Sequence, residues 1–455
     1  MTKKIYIQTY GCQMNQYDTE RILLVMERHG YERTDAIECA DLLVLNTCSV
    51  REKAEQKVYS ALGSWREYKK HRDGVVIGVG GCVAQQEGEN LLRRVPHLDL
   101  VFGTHNIHKL PELVEQVYAS RTRPVETTFF RDPAYMEDPY EGTQVHGVKA
   151  FVTIMQGCNK VCSFCIVPHV RGRELSRPSA KIAAEVESLI VRGVIEVMLL
   201  GQNVNSYGKV TPGELSFAEL LARINAIAGL RRIRFTTSHP QDLSPELIEA
   251  FATLENLCEH LHLPVQSGAD TVLSRMRRGY TRDEYLQRIE GLHKRCPNVA
   301  LSSDIIVGFP GESDAEFAQT LELLEQVQYD EIYSFTYSPR PQTVSAKIYT
   351  DDIPSDVKKE RLKIVQTLQQ RISLKKNQSR VGEFEEILIE GPSKLKNGQV
   401  MGRTRTNRIV NVTGAGLFVG RLVPVRITGA TSTSLIGEAW WNDSTFNSQQ
   451  EGDMA

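Results

Sequence analysis

Three cysteines stand at Cys158, Cys162 and Cys165, directly after the apolar run Ala150-Phe151-Val152-Thr153-Ile154-Met155. Three thiolates in one short loop at C-x3-C-x2-C spacing can each take one iron of a cubane cluster. The loop holds no fourth cysteine, so one iron is left open to a ligand from outside the protein. Zinc usually closes with four ligands in C-x2-C pairs, and no partner pair follows here. Nine cysteines in 455 residues do not suggest a secreted disulfide scaffold and fit a reducing, cytosolic setting. No apolar run approaches the length of a membrane span, and no signal-peptide core follows Met1-Thr2-Lys3-Lys4.

The spacing resembles the signature of the radical S-adenosylmethionine (SAM) enzymes. In those enzymes the amino and carboxylate groups of SAM chelate the open iron. A second triad is dispersed along residues 1–118. The runs Lys4–Tyr10, Asp41–Thr47 and Val75–Gly81 are apolar and β-branched, and they lead into Cys12, Cys48 and Cys82. Such runs, each followed by a helical pattern, read as buried parallel strands. Ligands of open α/β sheets gather at the carboxyl ends of the strands, so the topology is expected to bring three distant thiols together. The alternative is three inert buried cysteines, the reading preferred for Cys39, Cys258 and Cys296, which have no partners at ligand spacing.

Residues 119–148 read as a linker, rich in proline and acid around Arg131–Gly142. Between 149 and 378 the β/α alternation resumes. Strands are expected at 149–155, 195–200, 232–237, 260–265, 299–307 and 331–337. Six βα units suggest a partial (β/α)6 barrel with its site at the carboxyl ends of the strands. Gln202, Asn203, Ser238, Gln266 and Asp304 stand there. They are candidates for the methionine and ribose parts of SAM, or ordinary loop residues. Phe164 occupies the place where radical-SAM enzymes put an aromatic beside the adenine. His239, His260 and His262 could act as ligands or bases, with structural roles preferred.

A basic amphipathic helix is expected over 355–380. It is either a connector with a solvated basic face or an RNA contact. Residues 379–442 switch to short β segments separated by glycine and asparagine, as in a small β-barrel. Between Gly391 and Ala430 there are seven basic residues (Lys394, Lys396, Arg403, Arg405, Arg408, Arg421, Arg426) and no acid, in a chain of net charge −2. Such a patch is the footprint of nucleic-acid binding; Lys394, Lys396, Arg403, Arg405 and Arg408 are the expected RNA contacts. The tail, 443–455, reads as disordered.

Apart from linker and tail, the chain resembles the radical-SAM methylthiotransferases. Cys12, Cys48 and Cys82 match that family's N-terminal triad, Cys158, Cys162 and Cys165 its radical-SAM triad, and 379–442 its RNA-binding TRAM domain. The stretches Gly157–Pro168, Arg171-Gly172-Arg173-Glu174, Phe102-Gly103-Thr104 and Tyr337-Ser338-Pro339-Arg340-Pro341 look most like the bacterial branch acting on N(6)-dimethylallyladenosine in tRNA. Gln342 stands where that branch would be expected to carry glycine. The resemblance implies an α/β multidomain chain: an N-terminal open parallel α/β sheet, a central partial (β/α)6 radical-SAM barrel and a C-terminal small β-barrel. It also implies two 4Fe-4S clusters and SAM used twice, as methyl donor and as radical source. The substrate would be a tRNA anticodon stem-loop and the electron donor a flavodoxin or ferredoxin; the enzyme would be a cytoplasmic monomer. Sister enzymes act on threonylcarbamoyladenosine or on a ribosomal-protein aspartate, and a metal-stabilised RNA-binding protein is the non-enzymatic rival.

Overall fold

The computed structural model describes residues 2–49, 52–136, 147–393, 398–413 and 419–440, with the side chains of 52–56 and 134 excepted. Six strands open the chain: β1 (Lys3–Tyr10), β2 (Tyr31–Arg33), β3 (Leu42–Thr47), β4 (Val76–Gly81), β5 (Leu100–Phe102) and β6 (Val125–Glu126). They form one all-parallel sheet in the order β2-β1-β3-β4-β5-β6. Alternate residues of the central strands leave by opposite faces. Leu43, Leu45, Ile77 and Val79 pack with Val58 and Trp65 on one side. Leu42, Val44 and Val76 pack with Ile22, Met26 and Leu113 on the other. Burial on both faces is why these strands read as unbroken apolar runs.

The stretch read as a linker is partly built into this domain. Strand β6 lies within it, and beyond β6 the chain folds back over the sheet. Tyr135 stacks on His105, with ring centroids 4.5 Å apart, and Phe129 meets the same imidazole edge-on. Residues 137–142 of the acidic, proline-rich run lie outside the described residues.

The central domain carries β7 (Lys149–Thr153), β8 (Met155–Gln156), β9 (Leu175–Ser176), β10 (Glu196–Leu200), β11 (Arg232–Phe235), β12 (His260–His262), β13 (Ala300–Val307) and β14 (Glu331–Thr336). Apart from the short β8–β9 pair, all pairings are parallel, β11-β10-β7 in one sheet and β12-β13-β14 in another. The bridge Ile233↔Leu257 joins the two into a six-stranded open barrel. Helices such as Ser179–Val191, Arg282–Arg295 and Asp314–Val327 cover its outside. Their apolar faces and the outward strand residues, among them Val197, Ile233, Leu261 and Ile305, form one core.

The helix Ser355–Gln378 packs on this barrel through Val365 and Ile372. Of its seven basic residues Lys359, Lys363, Arg371 and Lys375 are exposed, and the other three turn inward. Lys358 pairs with Asp351, Arg361 with Glu312 and Asp314, and Lys376 with Asp330. The chain then closes a five-stranded barrel, β15 (Phe384–Pro392), β16 (Gln399–Thr404), β17 (Ile409–Thr413), β18 (Leu422–Ala430) and β19 (Leu435–Ala439), in the order β15-β16-β17-β19-β18. The tail lies outside the described residues.

This small barrel docks on the amino-terminal end of the central strands. Arg232 donates to the carbonyls of Arg403 and Glu386, and Arg234 to those of Arg405 and Thr404. Both guanidiniums are buried, Arg234 paired with Glu196 and Arg232 with Glu386, each at 3.1 Å. One end of the central barrel is thus stoppered by the C-terminal domain, and the carboxyl ends of its strands are left for chemistry.

Candidate active site

Each N-terminal cysteine follows its strand at the carboxyl end. Cys12 caps the helix Gln13–Glu27, and Cys82 opens the helix Cys82–Glu87. Gly81, between β4 and Cys82, has φ of +89°, and a Cβ there would stand 2.4 Å from the carbonyl oxygen of Thr47. This close approach draws the ends of β3 and β4 together. Cys48 and Cys82 are buried. The Cys12 thiol is drawn down to about 6 by its hydrogen bond with Cys48, against the effect of burial and with help from the charge of Arg171. Burial raises the Cys82 thiol, and Arg171 opposes that rise.

The second triad lies in the loop after β8. Gly157 has φ of +80° and no room for a Cβ, which would stand 2.0 Å from the carbonyl oxygen of Arg173. Its N–H donates to Gln202 Oε1 at 2.5 Å. Ser163 pins the loop from within, its N–H donating to the Met276 carbonyl and its hydroxyl to that of Arg275. Burial pushes the Cys158 thiol up to about 11 and that of Cys165 to about 12.

The N-terminal domain packs directly on the segment that follows the radical-SAM loop. Cys82 packs with Ile166 and Val170, a few residues after Cys165. Cys12 packs with Met14, Tyr17, Phe151, Met198 and Leu200, on the inner side of β7 and β10. Arg171 fastens the junction. Its buried guanidinium grips Asp18 through both nitrogens, at 2.6 and 3.4 Å, and lies against Cys12 and Cys82.

Around the radical-SAM loop, four of the six expected SAM residues hold buried polar atoms that no protein group satisfies: Gln202 Nε2, Asn203 Oδ1, Ser238 Oγ and Gln266 Oε1. Buried polar groups are normally paired, so four orphans on one set of loops mark a space shaped for a polar ligand. The loops are tied to the triad. Asn203 donates to Asp242, which Lys160 also holds at 2.9 Å. His239 Nε2 stands 3.9 Å from Cys162 Sγ, and Arg278 donates to the same sulfur at 3.3 Å. Thr237 and Gln266 take positive φ, +70° and +77°. Such strain in a β-branched and a polar residue persists where the surroundings enforce it, commonly at ligand sites. Phe164 packs on Met276, Phe309 and Tyr337. The Asp304 carbonyl accepts the Gln266 N–H, but its side chain faces His262 at 3.6 Å beside Tyr333.

Among the described residues no three His, Cys, Asp or Glu side chains close on a point as they would around one ion. A cubane asks for something different, one thiolate on each of three irons. The two sets of free, unbridged cysteines fit that requirement, and the orphaned amides and hydroxyl beside one set fit SAM.

The expected RNA contacts present differently. Lys394 and Lys396 lie outside the described residues. Arg405 grips Glu259 and the carbonyls of Glu255 and Leu257. Arg408 pairs with Asp330, and Arg403 with Glu390. The sequence showed these cations without acids because their acids lie in the central domain and just outside the counted window. Asp18 and Arg278 carried no motif signal, and Arg171 showed only as part of a resemblance.

Family models match three stretches: an uncharacterized protein family, UPF0004, over 4–103, the radical SAM superfamily over 152–324 and the TRAM domain over 378–440. Among solved structures, the radical SAM methyltransferase TsrM of Kitasatospora setae aligns with a TM-score of 0.58 at 14% identity, covering 76% of this chain and 74% of its own. The cobalamin-dependent radical SAM enzyme OxsB aligns with a TM-score of 0.51 at 11% identity, covering 81% and 56%. These two share the fold. Among curated proteins, the tRNA-2-methylthio-N(6)-dimethylallyladenosine synthase of Syntrophotalea carbinolica is 50% identical over 96% of this chain and 99% of its own. Those of Geobacter metallireducens and Alkalilimnicola ehrlichii are 52% and 47% identical, again over 96% of this chain and 98% of theirs. With both triads, the open barrel and the small β-barrel in place, the chain belongs to the family of radical-SAM tRNA-2-methylthio-N(6)-dimethylallyladenosine synthases.

Proposed function

We propose that this protein places a methylthio group on C2 of N(6)-dimethylallyladenosine beside the anticodon of tRNA. It would do so with a 4Fe-4S cluster and SAM at Cys158, Cys162 and Cys165 and a second 4Fe-4S cluster at Cys12, Cys48 and Cys82. The observation that supports this reading is the junction at Arg171, where the N-terminal triad packs against the segment that follows the radical-SAM loop. The C2–H of adenine is neither acidic nor readily attacked at neutral pH, so side-chain acids and bases alone would not exchange it for sulfur. When bound, cluster and SAM supply a carbon-centred radical and a transferable methyl group.

The chain's own part is to hold and orient. Gln202, Asn203, Ser238 and Gln266 offer two donors and three acceptors to the polar parts of SAM. Arg171 and Asp18 hold the two domains in register. A splayed-out anticodon-loop base costs little to present, unlike a base in a duplex. A low-potential one-electron donor, a flavodoxin or ferredoxin, completes the system. The reading includes a cytoplasmic monomer. Among the described residues no helix is long and apolar enough to cross a membrane.

The test is a pair of variants. Cys162→Ala should abolish SAM cleavage. Cys48→Ala should retain SAM cleavage and yield tRNA nucleosides that lack the methylthio group by mass analysis. Methylthiolated product from Cys48→Ala would remove the second cluster from the reaction.

A further inference from the structure

Each triad has one buried arginine beside it, but the two arginines are not electrically alike. Arg171, at the N-terminal triad, is neutralised by its two-nitrogen grip on Asp18. Arg278, at the other, is equally buried. It donates to Cys162 Sγ at 3.3 Å, to the Pro264 carbonyl at 2.6 Å and to Tyr280 Oη at 3.0 Å. Among the described residues no carboxylate lies within ion-pair distance of it. A buried cation without an anion is strongly disfavoured, and of the three groups that Arg278 contacts only the Cys162 sulfur belongs to the cysteine triad. That sulfur has a second facing group. His239 accepts the Gln241 N–H at Nδ1, 3.3 Å away, so its ring proton sits on Nε2, 3.9 Å from Cys162 Sγ.

We propose that Arg278, assisted by His239, is the fixed counter-charge of the Cys158–Cys162–Cys165 centre and makes it easier to reduce than the centre at Cys12, Cys48 and Cys82. This rests on the reading that each triad holds a 4Fe-4S cluster. Net charge and hydrogen bonds to the sulfurs set the potential of such clusters, and outer-shell partners tune them. Uptake of one electron, with one-electron oxidation of the donor, adds a negative charge at the sulfur that Arg278 faces. At the other triad Asp18 already offsets Arg171, so the same added charge finds no unpaired cation. The asymmetry directs the incoming electron to the centre where SAM must be cleaved. Arg278 is a positioning residue here: it touches a ligand sulfur, not the substrate.

The experiment is a redox titration of reconstituted full-length protein, followed by the paramagnetic signal of the reduced clusters. Variants are Arg278→Met, Arg278→Lys and Asp18→Asn, each compared with wild type after iron and sulfide analysis. Arg278→Met should leave the Cys158–Cys165 centre about tenfold harder to reduce, a midpoint lower by about 59 mV for one electron. Arg278→Lys, which keeps the charge, should stay within about threefold of wild type. Asp18→Asn should unmask Arg171 and raise the midpoint of the other centre. Loss of cluster loading in Arg278→Met but not in Arg278→Lys would also support the counter-charge role. Loss in both, or a midpoint unmoved in Arg278→Met, would overturn it. Wild-type iron near four per chain would instead remove the two-cluster reading beneath the comparison.

Discussion

Arg405 decides between two accounts of the basic barrel, and Arg405→Ala separates them. As a phosphate contact, Arg405 would add little to stability, within about 0.5 kcal/mol as for most surface positions. Its loss would then lower the salt slope of tRNA binding by about 0.9. The structure gives it other work. Its Nε and Nη2 reach both oxygens of Glu259 at 2.7–3.1 Å, and Nη2 reaches the carbonyls of Glu255 and Leu257 at 2.9 and 2.8 Å. Both side chains are about 30% exposed. Hydrogen bonds to charged groups are worth about 1.5–3 kcal/mol each, but those sharing one guanidinium are far from additive. Truncation also leaves Glu259 half-buried without its cation, so the total should be about 3 kcal/mol. Urea unfolding of Arg405→Ala should show that loss, and tRNA binding across a salt series should keep its slope. Glu259→Gln in a double-mutant cycle should show coupling of about 1–2 kcal/mol. Unchanged stability with a slope shallower by about one would refute the docking role and return Arg405 to the RNA.

Arg171→Met should cost about 3–5 kcal/mol, because it strands Asp18 as a buried, unpaired carboxylate; chemical denaturation showing less than about 1 kcal/mol would mean that the junction is not held there. His105 is held down to about 4, from an ordinary 6.5, chiefly by burial. The unfolded chain therefore binds a proton between those values that the folded chain does not. Stability is full above pH 6.5 and falls toward pH 4, by at most about 1.4 kcal/mol per unit from this residue. In thermal unfolding from pH 7 to 5, His105→Phe should flatten the decline, and an identical slope would clear His105 of that part. Gln342 has φ of +75°. A left-handed non-glycine residue costs roughly 1–2 kcal/mol and glycine's extra entropy roughly 0.5–1, so Gln342→Gly should raise the urea midpoint by up to about 1 kcal/mol of stability. A lowered midpoint would show that the side chain compensates for its backbone.

The parts of this molecule that were legible in the sequence are those written by local pattern. The runs ending in Cys12, Cys48 and Cys82 are β1, β3 and β4 because a parallel strand covered on both faces must be apolar at every position. The very short β2, β5 and β6, and β19 in the C-terminal barrel, escaped. Strands of two to five residues carry too little alternation to separate from loops. Strand β6 in particular is held by its pairing with β5, and nothing in its own composition announces it. The glycine expected at Gln342 points to a real backbone demand, since the position takes the left-handed conformation.

Charge was the least legible property, for a reason that reaches the site itself. A window from Gly391 to Ala430 counts cations but cannot see Glu259 and Asp330, which approach from another domain and neutralise Arg405 and Arg408. The reverse happens at Arg278. It adjoins Arg277 in a segment with no motif, yet folding buries it against Cys162 with no acid at ion-pair distance among the described residues. Arg403, Arg405 and Arg408, which looked free, are paired, whereas Arg278, with no carboxylate at ion-pair distance among the described residues, stands on a thiol of the radical-SAM loop. Whether a charge is available to a ligand is a property of tertiary contacts. The thiols were readable because metal chemistry fixes their spacing, whereas the guanidiniums that govern them answer only to what the fold packs alongside.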